Sequence, residues 1–372
     1  MILSLNNLDL KKVINASGRM SILGVSTLSD AVVDQLAYGA KNYFEMEELV
    51  KKSGEVIAYY LNAEAAIITN SASAAIALAV AGLITKKDKM LVDKLHDKNY
   101  KTNGEIIVMK GHNINYGAPV EVMIRLGGAE VKEVGYSNMC SADQVQAAIT
   151  NETVGFLYVK SHHCVQKNMP SIDQVQEVCH RNGIPLLIDA AAEEDIHSYA
   201  SLGDLVIFSG SKAIEGPTSG ILAGKKQYID YSFPHLKGIG RAMKVGKESI
   251  FGLLTALENY ESTKQSVDFQ TEKLKPLYKL SEIKGISVTC INDEAGRDIC
   301  RGRIMVNEKE ANRHAVEVVN ELKNGEVAIY TRDYHATEGH FDIDPRSVTK
   351  DDILLITRRI EEIVGEAHEV KS

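Results

Sequence analysis

The stretch DLVIFSGSKAIEGPTSGIL, residues 204–222, places a single lysine, Lys212, just after a run of apolar residues. The run LVIFS predicts a buried strand, and the Gly-Pro pair that follows the lysine predicts a turn. An amine at the end of a buried strand can lose its hydration shell, which is the state in which lysine acts as a nucleophile. Ser209 and Ser211 flank the lysine and offer hydroxyl groups to an anion. The alternative for this position is an ordinary solvated lysine.

On either side of this stretch, strand-like runs alternate with helical ones. GFLYV (155–159) and PLLID (185–189) are almost continuously apolar, as strands are when both faces of a sheet are covered. The alternation predicts an α/β fold with a mostly parallel central sheet and helices on both faces. Ligands of such sheets bind at the carboxyl ends of the strands, so the polar residues that end these runs are the candidates for a site.

Two further polar positions follow strand-like runs. Asp189 ends the run PLLID, where a buried carboxylate requires a cationic partner such as a protonated pyridine nitrogen. In TNSASAA (69–75), a strand turns into an apolar helix, and the exposed amides of a helix N-terminus bind anions such as phosphate. Each position has a simpler alternative, since Asp189 and Ser71 are also suitable helix caps.

Composition limits the class of protein. The chain has 372 residues, of which 44% are apolar and 25% charged, and a net charge of -8 without a basic run, so we expect a folded enzyme-sized protein that does not bind nucleic acid. Its five cysteines lack CxxC spacing, which predicts free thiols and a cytoplasmic location. The N-terminal segment has no apolar stretch long enough for a signal peptide or a membrane span.

Changes in pattern along the chain predict four regions. We expect an N-terminal arm over residues 1–28, a large ligand-binding domain over 29–243, a linking helix over 244–282 and a smaller α+β domain over 283–372. A helical period runs from residue 29 to residue 61, with Ser29 as its N-cap.

The order of these motifs resembles that of the fold type I pyridoxal-phosphate enzymes, in the branch that contains selenocysteine synthase. The resemblance covers most of the chain, and the following segments carry it in order: VINASG (13–18), TNSASAA (69–75), MKGHNINYGAPVEVMIRLGGAEVKEVG (109–135), LLIDAAAE (186–193) and FSGSKAIEGPTSGIL (208–222). Within this branch the chain is most similar to ammonia-lyases that act on amino sugar acids. The resemblance implies pyridoxal 5'-phosphate as the cofactor.

The resemblance assigns a role to particular residues. Lys212 is implied to bind the cofactor covalently, and Asp189 is implied to contact its pyridine nitrogen. His112 is implied to lie against the cofactor ring, and His162 or His163 to reach the ring hydroxyl. The residues implied to hold the cofactor phosphate are Ser71, Ala72, Ser73, Ser209 and Ser211. A metal site at the adjacent histidines and Cys164 is the alternative, but no other spaced ligands accompany them.

Four residues outside this set are candidates for substrate binding. Arg346, in EGHFDIDPRSVT (338–349), stands where this fold commonly keeps a guanidinium for the substrate carboxylate. A surface arginine is the alternative. Asn15 and Arg19 are placed to close over the substrate, and Arg332 to take its distal phosphate.

The predicted reaction is the dehydration and deamination of a 2-amino-3-hydroxy sugar acid, giving a 2-keto-3-deoxy acid and ammonia, in a homodimer or a higher homo-oligomer. A selenocysteine synthase-like transferase that acts on aminoacyl-tRNA is a rival prediction. That family commonly has an acidic residue before the lysine, whereas this chain has Ser211. A β-lyase or aldolase acting on another hydroxy amino acid also fits the motifs, as does a non-catalytic protein that binds the cofactor.

Overall fold

The structure is a computed structural model that describes residues 10–97, 99, 102–161, 163–293 and 297–369. The chain divides into two compact units. The large unit runs from Leu28 to Ser262, and the small unit combines the residues up to Thr27 with those from Thr263 onward. Among the described residues, no helix has both the length and the apolar character needed to cross a membrane.

Strands and helices are numbered here in chain order over the described residues. The strands are β1 (Val13–Ala16), β2 (Ala65–Thr69), β3 (Glu105–Met109), β4 (Glu130–Val134), β5 (Thr153–Val159), β6 (Leu186–Asp189), β7 (Leu205–Ser209), β8 (Gly220–Gly224), β9 (Ile286–Asn292), β10 (Cys300–Val306), β11 (Ala328–Thr331) and β12 (His340–Ile343). The helices are α1 (Asp30–Lys41), α2 (Met46–Leu61), α3 (Ala72–Thr85), α4 (Lys89–Lys94), α5 (Val120–Leu126), α6 (Ala142–Ala148), α7 (Ile172–Arg181), α8 (Ile196–Ala200), α9 (Lys226–Ser232), α10 (Lys247–Thr263), α11 (Val267–Leu274), α12 (Glu308–Ala311), α13 (Ala315–Asn324) and α14 (Lys350–Glu369).

The large unit is built on a sheet whose described strands lie in the order β2-β8-β7-β6-β5-β3-β4. Strand β8 is antiparallel to both of its neighbours, and the other pairings are parallel. This arrangement confirms the predicted α/β fold with a mostly parallel central sheet.

Both faces of this sheet are buried, which explains the apolar runs of its strands. In β5, Phe156 and Tyr158 belong to one hydrophobic cluster, whereas Leu157 and Val159 belong to a second cluster. Successive side chains of a strand point to opposite faces, so the two clusters lie on opposite sides of the sheet. Helix α3 packs against the sheet with small residues, and Ala75 on this helix is fully buried.

The carboxyl ends of β2, β6 and β7 lie at one edge of the sheet, because these strands run parallel to one another. They end at Thr69, Asp189 and Ser209 respectively. The antiparallel strand β8 begins at the same edge, where Gly220 pairs with Thr69 on one side and with Ser209 on the other. The three polar residues thus meet at the edge where ligands of α/β sheets bind.

Two predicted helices are divided in the structure. The helical period over residues 29–61 forms α1 and α2, separated by extended backbone at Asn42. Ser29 caps α1 as predicted, and its side chain accepts a hydrogen bond from the amide of Val32. Residues 244–282 form α10, α11 and a 3-10 segment, Lys275–Glu282, rather than one linking helix, because Ser266 caps a new helix.

The small unit contains two described sheets. One is antiparallel with the order β12-β10-β9, and the other is a parallel pair of β1 and β11. The predicted N-terminal arm thus contributes a strand to this unit, with Val13 opposite Ala328 and Ala16 opposite Thr331. Helices α13 and α14 supply apolar residues to the core of this unit, including Val318 and Ile356, both fully buried.

The prediction that all five cysteines are free thiols is wrong for two of them. Cys290 and Cys300 form a disulfide, while Cys140, Cys164 and Cys179 are free and buried. The paired cysteines are ten residues apart on β9 and β10, which lie side by side as an antiparallel pair. Strand pairing brings them together, and the spacing of cysteines along the sequence does not reveal it. Because Cys290 and Cys300 are paired, these two residues do not support the prediction of a cytoplasmic location from free thiols.

Candidate active site

The first part of the candidate site is the N-terminus of α3. Ser71 is the N-cap, and its Oγ accepts a hydrogen bond from the amide of Ala74 at 3.1 Å. Thr69 donates a hydrogen bond through Oγ1 to the carbonyl of Ser71 at 2.7 Å, which holds the turn between strand and helix. The helix is 14 residues long, so its first turn presents a positive dipole end and unpaired amides to an anion.

A glycine on the neighbouring strand allows this turn to approach the sheet. A Cβ placed on Gly220 would collide with the carbonyl group of Ser71 and would lie 2.5 Å from the amide nitrogen of Ala72. Gly220 is also the residue that pairs with Ser209 on β7. The backbone of Gly220 therefore lies between the α3 turn and the end of β7, which brings together two of the predicted phosphate-binding segments.

The third segment is the turn that carries Lys212. Ser209 and Ser211 lie with their Oγ atoms 3.3 Å apart at the end of β7. The backbone amide of Gly216 donates to the carbonyl of Gly210 at 2.8 Å, which closes the chain around the lysine. Lys212 itself is half-buried. The closed turn limits where the lysine side chain can point.

Asp189 ends β6, with only 7% of its surface exposed. Burial raises the pKa of its carboxyl group, while the amide of Ala191, which donates to Oδ1 at 3.1 Å, and the positive charge of Lys212 act in the opposite direction. The influence of Lys212 on this carboxyl places the amine and the carboxylate in one electrostatic environment. A buried carboxylate of this kind is stabilised by a bound cation.

His112 is fully buried, and its ring lies edge-on to the ring of Tyr158 with 4.7 Å between centroids. Burial lowers the pKa of this imidazole to about 4, and the positive charge of Lys160 acts in the same direction, whereas the nearby backbone of Val165 opposes the shift. Neither ring nitrogen has a hydrogen-bond partner of standard geometry within the part of the chain that the structure describes. A neutral ring with unsatisfied nitrogens is suited to contact a bound group.

Tyr116 belongs to this site, although no role is predicted for it from sequence. Its hydroxyl lies 3.1 Å from Oγ of Ser73 on the first turn of α3. Burial raises the pKa of this phenol, the hydrogen bond with Ser73 lowers it, and the charge of Asp189 raises it further. The tyrosine thus connects the α3 turn with the region around Asp189. The only sequence signal is its place in the turn-forming segment NYGAP (115–119).

Of the two adjacent histidines, the structure describes His163. This residue is exposed, and its backbone amide donates to Oγ of Ser161 at 3.2 Å. His162 lies outside the described residues. Cys164 is buried, and burial together with the charge of Asp189 raises the pKa of its thiol to about 12. Among the residues that the structure describes, no cluster of three or more His, Cys, Asp and Glu side chains is arranged to hold a metal.

These residues fit the pyridoxal phosphate that the sequence implies. The α3 turn lies directly against Gly220, where an added Cβ would collide with its backbone, and it presents the amides of a helix N-terminus and the hydroxyls of Ser71 and Ser73. The buried carboxylate of Asp189 suits a protonated pyridine nitrogen, and the unsatisfied ring of His112 suits contact with an aromatic face. The three groups of residues therefore match the phosphate, the cationic ring nitrogen and the flat ring of pyridoxal phosphate.

The predicted substrate residues all lie in the small unit. Asn15 organises the turn after β1, since its Nδ2 donates to the carbonyl of Gly18 at 2.7 Å and its Oδ1 accepts from Oγ of Ser17 at 2.8 Å. Arg19 follows in the same turn and is half-buried. Gly18 has a positive φ of 97°, and a Cβ there would lie 2.9 Å from Oδ2 of Asp344. The N-terminal segment therefore contacts the loop that carries Arg346.

Arg346 is held by a buried carboxylate rather than standing on the surface. Its Nε and Nη2 donate to the two oxygens of Asp344 at 2.9 and 2.7 Å. Burial would raise the pKa of the Asp344 carboxyl, but the charge and hydrogen bonds of Arg346 and the charge of Arg301 outweigh it and hold that pKa well below its usual range. The fork of Arg346 is thereby fixed in one orientation.

Arg332 follows β11, and its backbone forms a bridge with Asp342 of β12. Its guanidinium carbon lies 4.9 Å from the centroid of the Tyr334 ring. An arginine stacked on an aromatic face keeps its edge available for hydrogen bonds. The structure thus describes Asn15, Arg332 and Arg346 as fixed side chains of one unit.

A strand-end carboxylate and a strand-end lysine at the carboxyl edge of a mostly parallel sheet define a fold type I pyridoxal-phosphate enzyme. The sequence profile of the beta-eliminating lyase family matches residues 25–294. The chain belongs to this beta-eliminating lyase family.

Three curated relatives extend the comparison. D-glucosaminate-6-phosphate ammonia lyase of Salmonella typhimurium is 45% identical over 97% of this chain and 97% of its own length. The 5'-C-glycyluridine monooxygenase-decarboxylase of a Streptomyces species is 34% identical over 96% of this chain and 91% of its own. An L-seryl-tRNA(Sec) selenium transferase of Clostridium perfringens is 27% identical over 95% of this chain and 83% of its own.

Comparison with solved structures shows the same kind of enzyme. The structure of a D-glucosaminate-6-phosphate ammonia-lyase superposes with a TM-score of 0.91 and 42% identity, over 99% of this chain and 100% of that one. An aspartate aminotransferase of Thermus thermophilus superposes with a TM-score of 0.51 at 13% identity, over 95% of this chain and 92% of that one, which is a likeness of fold alone.

These comparisons confirm several of the sequence predictions. The fold is that of the fold type I enzymes, the relatives include selenocysteine synthase-like proteins, and the chain is a lyase whose cofactor is pyridoxal 5'-phosphate. The prediction of a lyase is favoured over the transferase, because the identity to the selenium transferase is 27% and that to the ammonia lyase is 45%.

Proposed function

We propose that this enzyme converts D-glucosaminate 6-phosphate to 2-keto-3-deoxy-6-phosphogluconate and ammonia. The observation that carries the proposal is the near-full-length identity of 45% to a protein named for ammonia elimination from that compound. The buried Asp189 under the influence of Lys212, at the carboxyl edge of the sheet, supports the chemistry. When bound, pyridoxal phosphate withdraws electrons from Cα of an amino acid substrate and thereby stabilises a carbanion there.

In this proposal Lys212 has two successive roles. It would hold the cofactor, and its amine, when free, would take the proton from Cα of the substrate. The hydrogen bond between Gly216 and Gly210, which closes the turn around Lys212, supports this proposal. The electron pair left at Cα then expels the hydroxyl group from C3, so the elimination removes one molecule of water.

The product of that elimination is a 2,3-unsaturated amine, which leaves the enzyme. Its hydrolysis consumes one molecule of water and releases the 2-keto-3-deoxy acid and ammonia. Water is thus lost once and gained once, and the overall reaction is the loss of ammonia from the substrate without any oxidant or reductant.

Asp189 is proposed to keep the pyridine nitrogen protonated. A carboxylate that is shielded from water interacts strongly with a cation, so its charge raises the proton affinity of a ring nitrogen beside it. The proton on that nitrogen makes the ring a better acceptor of electrons. The α3 turn with Ser71, Ala72 and Ser73, together with Ser209 and Ser211, is proposed to bind the cofactor phosphate.

Further contacts are proposed on the same basis. His112 is proposed to lie against the cofactor ring, and His163 to approach its hydroxyl group. Arg346 is proposed to bind the substrate carboxylate, for which a planar fork is well suited. Asn15 and Arg19 are proposed to cover the bound substrate.

The decisive experiment measures ammonia release from a panel of phosphorylated and unphosphorylated amino sugar acids. We expect release from D-glucosaminate 6-phosphate, and none from the Lys212→Ala variant, which should also lack the absorbance of the lysine-bound cofactor. Lys226→Ala is the matched control, since this exposed lysine pairs with Asp230 on the surface of α9. Cofactor absorbance that responds to the substrate without ammonia release indicates a binding protein instead.

We also propose a homodimer or larger homo-oligomer and a cytoplasmic location. Sites of fold type I enzymes are generally completed across a dimer, and the proposed substrate is a phosphorylated metabolite. Light scattering of the purified holoenzyme tests the assembly, and a mass equal to that of one 40.8 kDa chain contradicts it.

A further inference from the structure

The small unit gathers arginines around two buried aspartates. Within the described residues, Asp293 accepts hydrogen bonds from Arg297 at 2.8 and 2.9 Å and lies 2.7 Å from Nη1 of Arg301. Asp344 accepts hydrogen bonds from Nε, Nη2 and the backbone amide of Arg346, and a longer one, at 3.3 Å, from Nε of Arg301. Arg301 therefore bridges the two carboxylates from its position on β10.

One nitrogen of Arg301 takes no part in this network. The residue is 3% exposed, and its Nη2 has no hydrogen-bond partner within the portion of the chain that the structure describes. A buried guanidinium N–H without an acceptor costs about 1–3 kcal/mol or more, so such groups in folded proteins usually face a ligand or water. The two carboxylates already occupy Nε and Nη1, and Nη2 is the atom that remains for an acceptor from outside the network.

A second guanidinium lies in the same electrostatic environment. Arg332 is half-buried, and among the described residues its side chain forms no ion pair with a carboxylate. Burial lowers the pKa of this guanidinium, and the positive charge of Arg301 lowers it further, whereas Tyr334 and Asp344 act in the opposite direction. The two guanidinium groups thus repel each other, and an anion that bound both would relieve that repulsion.

The charge of two guanidinium groups indicates the kind of anion. Arg301 and Arg332 each carry one positive charge, and Nη2 of Arg301 has no acceptor among the described residues. A phosphate monoester carries about -1.5 to -2 near neutral pH and has three acceptor oxygens, so one such group can pair with both guanidinium groups.

We propose that Nη2 of Arg301 and the guanidinium of Arg332 bind the phosphate group of the substrate. The proposal rests on the function proposed above, in which the substrate is a phosphate monoester. It adds Arg301 as a direct ligand and makes the discrimination between phosphorylated and unphosphorylated sugar acids a property of the small unit. Arg346, which both oxygens of Asp344 hold, is left to the singly charged carboxylate.

The test compares kcat/KM of the holoenzyme for D-glucosaminate 6-phosphate and for D-glucosaminate. We expect Arg332→Gln to reduce kcat/KM for the phosphorylated substrate about 10- to 100-fold, which is the usual effect of losing a charge-assisted hydrogen bond. The kcat/KM for D-glucosaminate should change less than about threefold. Arg301→Lys keeps the positive charge near the two aspartates but lacks Nη2, and it should show the same selective loss. Arg303→Lys, on the same strand, is the matched control that should leave both values unchanged.

A second measurement does not depend on turnover. Inorganic phosphate should raise the Tm of the wild-type holoenzyme and should raise it less in Arg332→Gln, with chloride at equal ionic strength as the reference. This arm also serves if Arg301→Lys does not fold. An equal loss of kcat/KM for both substrates identifies a carboxylate site and overturns the proposal. The proposal is also wrong if inorganic phosphate raises the Tm of Arg332→Gln as much as it raises that of the wild type.

The two proposals fail in different ways. If wild-type enzyme releases no ammonia from either sugar acid, the proposed function is wrong, and the inorganic phosphate measurement still decides whether the arginines form a phosphate site. If wild-type enzyme does release ammonia but the Arg332 and Arg301 variants discriminate as the wild type does, only the phosphate site is wrong.

Discussion

Gly220 and Ser71 lie so close together that a Cβ on Gly220 would overlap the carbonyl group of Ser71. We therefore expect Gly220→Ala to push the α3 turn away from the sheet, with a loss of about 1–3 kcal/mol in the free energy of unfolding. Displacement of the turn should also weaken cofactor binding by about tenfold or more. Titration of the cofactor-free protein with pyridoxal phosphate measures that affinity.

Gly365→Ala is the control for this prediction, because no atom of the described residues lies within 4 Å of a Cβ at Gly365 on α14. Alanine in a helix is about 1 kcal/mol more favourable than glycine, so this variant should be slightly more stable and should bind the cofactor normally. Wild-type cofactor affinity in Gly220→Ala rules out the phosphate cradle at the α3 turn.

The hydroxyl of Tyr116 lies 3.1 Å from Oγ of Ser73, and Tyr116→Phe removes this hydrogen bond while keeping the ring. We expect a loss of about 0.5–1.5 kcal/mol in cofactor binding, since a single neutral hydrogen bond is removed. Tyr228→Phe serves as the matched control, because this tyrosine lies on α9 rather than on the α3 turn. Equal affinities in the two variants would remove Tyr116 from the site.

Asp189→Asn should leave the fold intact and greatly reduce turnover. Loss of one partner of a buried charge pair costs about 3–5 kcal/mol, which corresponds to roughly 10²- to 10⁴-fold in rate if the pair is stronger in the transition state. Burial raises the pKa of this carboxyl group, whereas the amide of Ala191 and the charge of Lys212 act in the opposite direction. The absorbance of bound cofactor reports the protonation of its ring nitrogen, and an unchanged spectrum together with normal turnover contradicts the assignment.

The stability of the protein should fall in mildly acidic solution because of two buried histidines. Burial lowers the pKa of His112 and of His235 to about 4, below the ordinary value of 6.5. The unfolded chain then binds more protons between pH 4 and pH 6.5, so the free energy of unfolding is highest above pH 6.5 and decreases as the pH falls toward 4. Urea unfolding at several pH values measures this dependence.

His112→Phe should remove about half of that dependence, since one of the two buried rings no longer titrates. The matched control is His180→Gln, because His180 is already exposed to water in the folded protein and its replacement should not change the slope. A slope that His112→Phe leaves unchanged indicates that the imidazole is accessible to protons in the folded state.

The sequence predicts the local parts of the site well, because each depends on neighbouring residues. The run PLLID ends a buried strand at Asp189, and Ser71 caps the helix that follows TNSAS, as their patterns predict. The end of the first helix is harder to predict, since residues 29–61 keep one hydrophobic period across the break at Asn42. A period shows which face of a segment is buried, and it does not show where the backbone turns.

Features that depend on distant residues cannot be predicted from local pattern. Gly220 is required by its approach to Ser71, and Tyr116 meets Ser73, a contact between residues 43 positions apart. The disulfide of Cys290 and Cys300 depends on the pairing of β9 with β10. Arg301 gives only a weak signal in the sequence, as a charged residue within a predicted strand. Its importance depends on contacts with Asp293 and Asp344, and local sequence pattern does not show that these residues lie close to it.

Lys273 fixes the turn that carries Arg346, and its replacement tests whether that turn serves the substrate. The buried ammonium donates to the carbonyls of Pro345 at 2.8 Å and Val348 at 3.0 Å. Lys273→Met keeps the chain length but leaves both carbonyls without this donor, so we expect a loss on the order of 3 kcal/mol in the free energy of unfolding. Because the backbone on both sides of Arg346 then loses this support, KM should rise more than kcat falls. Lys275→Met, which removes an exposed lysine two residues away, should change neither quantity. A less stable Lys273→Met enzyme with wild-type KM would show that the turn has a structural role alone.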